Sequence, residues 1–165
     1  MLFRSCNHSR EQHHRVRAAV DREGRVLGLD DQFFHDQGAY VRTHGARVPD
    51  MTAGMLPGPY RIPAFRVAGH FRLTNKTPAA TYRAPGRYEA TYVCERVMDA
   101  VAAQLGLDRV EVRRRNLLPK AEMPFARPMQ VLDQDAVIDS ADFAGLLGKT
   151  LARIGWDDLQ HTLAR

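Results

Sequence analysis

One short segment combines residue types that could bind an anionic ligand. Residues 81–89 read TYRAPGRYE and join a turn-rich stretch to the most regular helical pattern in the sequence. Backbone N–H groups at the start of a helix, together with the helix dipole, favour a negatively charged group. Arg83 and Arg87 add positive charge, and Gly86 allows close approach to the backbone. The segment predicts an anion-binding turn, although a plain capped loop with solvated arginines fits these residues slightly better.

The other chemistry-bearing residues form no catalytic set that spacing can identify. The seven histidines are scattered, and the adjacent His13 and His14 would point to opposite faces of a strand, which disfavours a shared metal ion. No GxxxxGK, GxGxxG or GxSxG pattern is present. Cys6 and Cys94 are too few for a disulfide framework or a metal cage. Nucleotide hydrolysis, dinucleotide binding and a local nucleophilic triad therefore have little support.

The composition is that of one ordinary globular domain. The chain has 165 residues, of which 44% are apolar and 26% charged, and its net charge is +5. The only dense basic run is Arg113–Arg115, whose members splay around a helix, so we expect a solvated helix face and no nucleic-acid partner. No apolar run is long enough to span a membrane, and no secretory signal is evident. The sequence thus predicts a cytoplasmic protein with reduced thiols.

The elements that must position the turn follow from hydrophobic periodicity. Alternating residues predict a hairpin from His13 to Tyr40, with its turn at residues 22–25, and a further strand at residues 64–73. Prolines and glycines make residues 43–63 a structured loop or a short broken helix. This order, a hairpin plus a further strand followed by helices, indicates an α+β fold.

Three predicted helices and a final helical pattern follow the turn. Apolar residues from Cys94 to Leu105 recur with helical spacing, with Gly106 as a left-handed cap, and Asp108 is placed to cap a second helix that runs to Asn116. Residues 119–139 show no clear period. Ser140 is expected to cap a third helix, residues 141–154, and a helical pattern begins at Trp156. The expected inward side chains of the third helix are Phe143, Leu146, Leu147 and Leu151.

The stretch TNKTPAATYRAPGRYEATYVCERVMDAVAAQLGLDRVEVRRRNLLP, residues 74–119, resembles the large, molybdopterin-binding subunit of the xanthine dehydrogenase and aldehyde oxidase family, the molybdenum hydroxylases. The resemblance extends through FFHDQGAY, YRIPAFRVAGHFRLTN and EMPF, and covers nearly all of residues 10–165. It implies a partial molybdopterin-binding domain.

What the resemblance implies about chemistry is specific. Molybdenum held by molybdopterin oxidises a substrate carbon with oxygen derived from water, and electrons leave through iron-sulfur clusters to FAD in partner subunits or domains. Tyr82, Arg83 and Ala84 correspond to the family's cofactor-binding loop. The family's glycine-rich loop and its general-base glutamate are expected outside this chain, so Glu89 and Glu95 are interpreted as solvent-facing or helix-stabilising.

The resemblance also constrains the substrate. The carbon monoxide dehydrogenase branch has a copper-carrying cysteine where this chain has Ala84, so carbon monoxide oxidation is not expected. The xanthine-specific branch has a stacking phenylalanine and a substrate arginine at the places of Pro85 and Met51. These two residues become the expected substrate-pocket positions, and an aldehyde or an N-heterocycle is favoured over a purine.

The expected domain organisation is that of a fragment. Residues 1–5 resemble an adapter-derived scar, residues 6–119 form part of the first molybdopterin-binding domain, and residues 120–165 form a linker and the start of the following domain. The expected partners are an iron-sulfur subunit, a FAD-binding subunit and a small-molecule substrate, in an oligomer of the heteromer, and the isolated chain would be inactive. The alternative is a non-catalytic accessory or basic binding module that keeps the fold without the cofactor.

Overall fold

The computed structural model describes residues 7–8 and 11–163, and its N-terminal half is built on a three-stranded sheet. Strands β1 (Gln12–Val20) and β2 (Val26–Gly38) form the predicted antiparallel hairpin, and β3 (Ala64–Leu73) is the predicted further strand. β2 ends at Gly38 rather than at Tyr40, because Gly38 adopts φ +73° and leaves the extended conformation. The α+β class is confirmed. The scar interpretation of residues 1–5 lies outside the described residues.

β2 and β3 pair in parallel, a geometry that needs a crossover connection. That connection contains helix α1 (Arg47–Met55). The sequence predicted a structured loop or a short broken helix in this region. Pro49 is the third residue of α1, and a proline is tolerated there because the first-turn N–H groups have no partner within the helix. Val48 is 1% exposed and Leu56 is fully buried, so α1 is packed against the rest of the fold.

Two helices follow the sheet, and both were predicted. Helix α2 (Arg87–Leu105) ends at Gly106, which has φ +67° as the predicted left-handed cap. Helix α3 (Arg109–Asn116) begins at Asp108, whose Oδ1 accepts hydrogen bonds from the N–H groups of Val110 and Glu111. The main core lies between these helices and the β1–β2 hairpin; its buried members are Val26, Tyr60, Cys94, Met98, Val101, Ala102 and Val112.

Residues 120–163 differ from the prediction in two respects. A short 3-10 helix (Lys120–Glu122) leads to the hairpin β4 (Phe125–Val131) and β5 (Gln134–Ile138), which lies where the sequence shows no clear period. Its turn residues, Leu132 and Asp133, both have positive φ without any glycine. Helix α4 (Phe143–Ile154) is capped by Asp142 rather than Ser140, because the Asp142 Oδ1 accepts from the N–H of Gly145.

The C-terminal helices contribute little to the core. The prediction that Leu146 faces inward is wrong, since that side chain is 65% exposed, and no residue of α4 is fully buried. Helix α5 (Trp156–Leu163) matches the helical pattern predicted from Trp156. No helix within residues 7–8 and 11–163 combines the length and apolar character needed to cross a membrane.

Candidate functional site

The segment that sequence analysis singled out forms a tight, exposed turn before α2. Tyr82 is 71% exposed, and Ala84 has φ +53°, a left-handed conformation that is uncommon for a residue with a side chain. The N–H of Arg87 donates to the Ala84 carbonyl over 3.3 Å, which closes the turn. Pro85, an expected substrate-pocket position, precedes α2, which begins two residues later with Gly86 as its N-cap at φ +73°. The turn leaves Arg83 exposed to solvent, at the start of the longest helix.

Gly86 holds this turn against α1. A Cβ atom on Gly86 would lie 2.6 Å from the backbone nitrogen of Thr52 and 2.7 Å from both the Val48 carbonyl oxygen and the Met51 Cβ. Only glycine allows the two segments to approach so closely. Met51 is 6% exposed. The structure therefore brings Met51 next to the turn that contains Arg83 and Ala84, although the residues are far apart in sequence.

A buried hydrogen-bond network fixes α1 to the sheet below the turn. The Thr52 hydroxyl donates to the Val48 carbonyl over 3.0 Å and accepts from Gln12 Nε2 over 3.0 Å. Gln12 Oε1 lies 2.9 Å from Nε2 of His14, whose Nδ1 lies 2.7 Å from Asp31 Oδ2. Asp31 is 1% exposed. The sequence does not predict this network, because its members lie on three elements and only the alternation of β1 indicates that His14 faces inward.

His35 belongs to the same network and is completely buried. Its Nδ1 accepts from Gln12 Nε2 over 3.3 Å, while its Nε2 is buried without a hydrogen-bond partner among the described residues. Burial, together with the nearby His8, lowers the pKa of His35 to about 4. The imidazole is therefore neutral at physiological pH and acts as a hydrogen-bond acceptor for the network.

The two glutamates of α2 have different environments. Glu89 was expected to face solvent or to stabilise the helix, but it is 8% exposed, and its Oε2 is buried with no partner within the described part of the chain. Glu95 instead accepts from the Tyr60 hydroxyl over 2.8 Å and from Arg113 Nε over 2.7 Å. Glu95 is thus a structural ion-pair residue, and Glu89 is an acceptor without a donor in the first turn of α2.

The basic run at residues 113–115 is only partly the solvated face that was expected. Arg113 also donates to Asp99 Oδ1 over 2.9 Å, and its side chain is 17% exposed. Arg115 pairs with Glu111 over 2.9 Å. Arg114 is exposed. The run therefore ties α3 to α2 and to its own first turn.

Direct metal ligation by protein side chains is not offered by the described residues. Among residues 7–8 and 11–163, no three His, Cys, Asp or Glu side chains are grouped so that they could hold a metal ion. Burial raises the pKa of the Cys94 thiol to about 12, so this side chain is protonated at neutral pH and packs as a small apolar group.

The turn does fit a bulky polar cofactor. Ala84 and Gly86 are both left-handed, and Gly86 makes no side-chain cap, so N–H groups in the first turn of α2 have no acceptor within the helix and suit oxygen-rich anionic groups. The unpartnered Glu89 Oε2 suits the N–H donors that a pterin carries. Tyr82, Arg83 and Ala84 would hold such a group from one side only, so the remaining contacts must come from elsewhere.

Comparison with known proteins identifies the family. Residues 2–117 match the model of the molybdopterin cofactor-binding domain. The chain is 45% identical over 138 residues to the gamma subunit of the 6-hydroxypseudooxynicotine dehydrogenase complex of Paenarthrobacter nicotinovorans, an alignment that covers 84% of this chain and 17% of that protein. It is 30% identical over 143 residues to a probable xanthine dehydrogenase subunit of Bacillus subtilis strain 168, with 86% of this chain and 19% of that protein covered.

Comparison with solved structures indicates the same family. The crystal structure of quinoline 2-oxidoreductase from Pseudomonas putida 86 superposes with a TM-score of 0.83 and 25% identity, covering 96% of this chain and 20% of that one. The chain therefore spans about a fifth of the length of the proteins it matches. With a family match over most of its length and a fold shared with solved relatives, the chain belongs to the molybdopterin cofactor-binding domain family of the xanthine dehydrogenase and aldehyde oxidase type.

Proposed function

We propose that this chain forms one side of the molybdopterin site in the large subunit of a molybdenum hydroxylase. The observation that carries the proposal is the turn at residues 82–86, where Ala84 and Gly86 are both left-handed and Gly86 packs on the backbone of α1. A strained, exposed turn held by its surroundings is typical of a ligand-binding segment. In this proposal Arg83 and the backbone at Ala84 contact the cofactor, and Tyr82 lies beside it.

When bound, the molybdenum cofactor would supply hydroxylation of an aldehyde or an N-heterocycle carbon with oxygen derived from water. The residues of this chain bind the cofactor and orient it. The contact between Gly86 and α1 fixes the position of the turn, and Met51 and Pro85 border the substrate side in this proposal. We assign the general base to a glutamate outside this chain, because Glu95 is engaged with Tyr60 and Arg113. A single side of a pocket cannot pre-organise cofactor, base and substrate together, so catalysis needs the complete subunit.

The complete enzyme would be a heteromer. Two relatives are named as subunits of dehydrogenases, which supports partner subunits for this chain as well. We assign the partners as an iron-sulfur subunit and a FAD-binding subunit that accept the electrons, in a cytoplasmic oligomer of the heteromer. Residues 6–119 would belong to the first molybdopterin-binding domain, and residues 120–165 to a linker and the start of the next domain.

The test is charge reversal at the turn, made in the complete subunit that contains this chain. Arg83→Glu is expected to lower the molybdenum and pterin content per subunit about tenfold or more, because it replaces an attraction to an anionic group by repulsion. Metal analysis and pterin fluorescence measure this content directly. Arg83→Lys keeps the charge and should retain a measurable fraction of the cofactor.

Arg96→Glu is the matched control, because Arg96 lies on α2 with a 65% exposed side chain and is not part of the turn. It should leave the cofactor content unchanged. A normal molybdenum content in Arg83→Glu would contradict the assignment of the turn. A complete protein that never carries molybdenum would instead favour the accessory-module alternative.

A further inference from the structure

A cleft of about 700 Å³ opens beside the turn, between α1, the β4–β5 hairpin and the start of α4. Its apolar lining includes Met51, Met55, Val137 and Phe143. Met55 and Val137 are 40% and 53% exposed, so this lining is open to solvent. A concave surface of this size with mainly apolar lining is the usual form of a small-molecule site.

Three arginines from three different elements line the same cleft: Arg47 begins α1, Arg87 begins α2, and Arg127 lies on β4. Within residues 7–8 and 11–163 none of the three forms an ion pair with a carboxylate. The cleft also contains Asp135, whose Oδ1 accepts from Gln130 Nε2 over 3.0 Å. Positive charge therefore exceeds negative charge around an apolar space.

The position of one of these three charges, that of Arg127, is fixed by its contacts. Its guanidinium donates to the backbone carbonyl of Gly58 and, over 3.5 Å, to that of Tyr60, and it lies 5.8 Å from the ring of Phe125. Burial lowers the pKa of Arg127, because no carboxylate compensates its charge. Arg127 is only partly buried, but a partly desolvated cation without a counter-charge still costs free energy, and an anion in the cleft would remove part of that cost.

The hairpin that closes the cleft is anchored on α1. A Cβ on Gly54 would collide with Cγ2 of Val131, so β4 packs directly on the helix. The N–H of Leu132 donates to Asp50 Oδ2 over 2.9 Å, which fixes the hairpin turn at the same helix. The two sides of the cleft are therefore held at a defined separation, as a specific site requires.

We propose that this cleft binds a small organic carboxylate, with its apolar body against Met51 and Met55 and its carboxylate between Arg47 and Arg87. Guanidinium groups bind a planar carboxylate through charge-assisted hydrogen bonds, and the methionines adapt to a flat apolar body. The inference deepens the proposed function by naming an acidic substrate class, and it rests on that function only for the placement of Met51 beside the reacting centre.

The test measures binding without turnover, in the complete subunit that contains this chain. Benzoate and benzamide have the same shape and differ in charge, so isothermal titration of both isolates the contribution of the carboxylate. Benzoate is expected to bind about tenfold or more tightly than benzamide. The double variant Arg47→Gln, Arg87→Gln should reduce this ratio to about one, since the charge-assisted contacts are lost.

Arg114→Gln on α3 is the control for overall charge and should leave the ratio unchanged. Met55→Ser should weaken benzoate and benzamide by a similar factor, because it removes apolar contact that both ligands share. Arg127 is left intact in these variants, since its contacts with Gly58 and Tyr60 support the fold. Circular dichroism and thermal unfolding establish that each variant remains folded.

Three results would overturn the proposal: equal affinity for benzoate and benzamide, an unchanged ratio in the double variant, or inorganic phosphate binding as tightly as benzoate. The last result would mean that charge alone governs binding. Molybdenum content is measured on the same preparations. In the unaltered subunit, a missing carboxylate preference with normal molybdenum content contradicts the cleft assignment alone, whereas absence of molybdenum with an intact preference contradicts the proposed function alone.

Discussion

At the scale of single residues, Gly86 links the turn to the rest of the fold. Its φ of +73° is costly for a residue with a side chain, and its contact with the backbone of α1 leaves no room for a Cβ atom. Gly86→Ala is therefore expected to destabilise the chain by at least about 2 kcal/mol, because it adds a backbone clash to the cost of a left-handed alanine. Chemical denaturation measures this change in the free energy of unfolding.

Gly106→Ala is the matched control. Gly106 has a similar φ of +67°, but nothing lies within 4 Å of the position that its Cβ would take. This variant should lose only about 1 kcal/mol of unfolding free energy, which is the cost of an alanine in the left-handed conformation. Equal losses in both variants would show that the contact between Gly86 and α1 contributes nothing.

Buried His35 gives stability a pH dependence of defined sign. Its folded-state pKa of about 4 lies below the ordinary value of 6.5, so between these values the unfolded chain binds more protons than the folded chain. The stabilisation is complete above pH 6.5 and is lost as pH falls toward 4, by about 3 kcal/mol. Urea unfolding from pH 4 to pH 7 should show this decline.

His35→Gln should flatten the decline between pH 6.5 and pH 4. Carboxyl groups act at lower pH: hydrogen bonds from Arg66 and Arg17 hold the pKa of Asp30 well below its usual 3.8. The pH range in which Asp30 affects stability therefore lies below the range in which His35 does. An unchanged pH dependence in His35→Gln would assign the decline to another group.

Some features of the candidate site can be predicted from individual residue types, and others cannot. The prediction of an anion-binding turn at residues 81–89 rests on residue types alone, whereas the proposed cofactor assignment of Arg83 and Ala84 needs the family resemblance. The hydrogen bond from Gln12 to Thr52 joins residues that no local pattern connects. Contacts of this kind depend on tertiary packing, and a single sequence does not contain them.

At the scale of elements, helix caps differ in how much of the fold depends on them. Asp108 caps α3, whose Val112 is completely buried in the main core, while Asp142 caps α4, which has no fully buried residue. Asp108→Ala should cost about 1 kcal/mol of global stability, since it removes two capping hydrogen bonds from a packed helix.

Asp142→Ala is the comparison variant. It should leave the global unfolding midpoint nearly unchanged and increase amide hydrogen exchange within the first turn of α4 only, because α4 can fray without disrupting the core. Both variants are measured by thermal unfolding and hydrogen exchange. Equal global losses would mean that α4 unfolds together with the core.

Elements with strong periodicity were predictable, and elements with ambiguous local signals were not. Apolar spacing in α2 and a glycine at its end define that helix without further information. Exposed and half-buried residues alternate along β4, as in an ordinary strand. However, Pro128 weakens the strand pattern in the sequence, and the turn at Leu132 and Asp133 lacks the glycine that usually marks a hairpin. Asp142 and Ser140 are both good caps, and only the structure distinguishes them.

At the scale of the whole molecule, the C-terminal helices leave apolar surface uncovered. Leu146 is 65% exposed and Leu163 is 71% exposed. Larger exposed apolar surfaces mark contacts with other protein segments. The 165-residue chain is therefore expected to self-associate at micromolar concentration, which sedimentation velocity measures.

The double variant Leu146→Glu, Leu163→Glu should shift the chain toward the monomer without lowering its thermal midpoint, because neither side chain is buried. Arg153→Glu, on the same helical segment, is the control for added negative charge and should leave association unchanged. A parent chain that is already monomeric at these concentrations would contradict the prediction.

The parallel pairing of β2 with β3 has a consequence for the order of synthesis. β1 and β2 are adjacent in sequence and can form their hairpin as soon as both have left the ribosome, but β3 follows only after the whole crossover through α1. During that interval the inner edge of β2, including Phe33, has no neighbouring strand and can pair with another nascent chain. Slowing translation between codons 39 and 63 should therefore lower the yield of folded protein more than slowing it after codon 73.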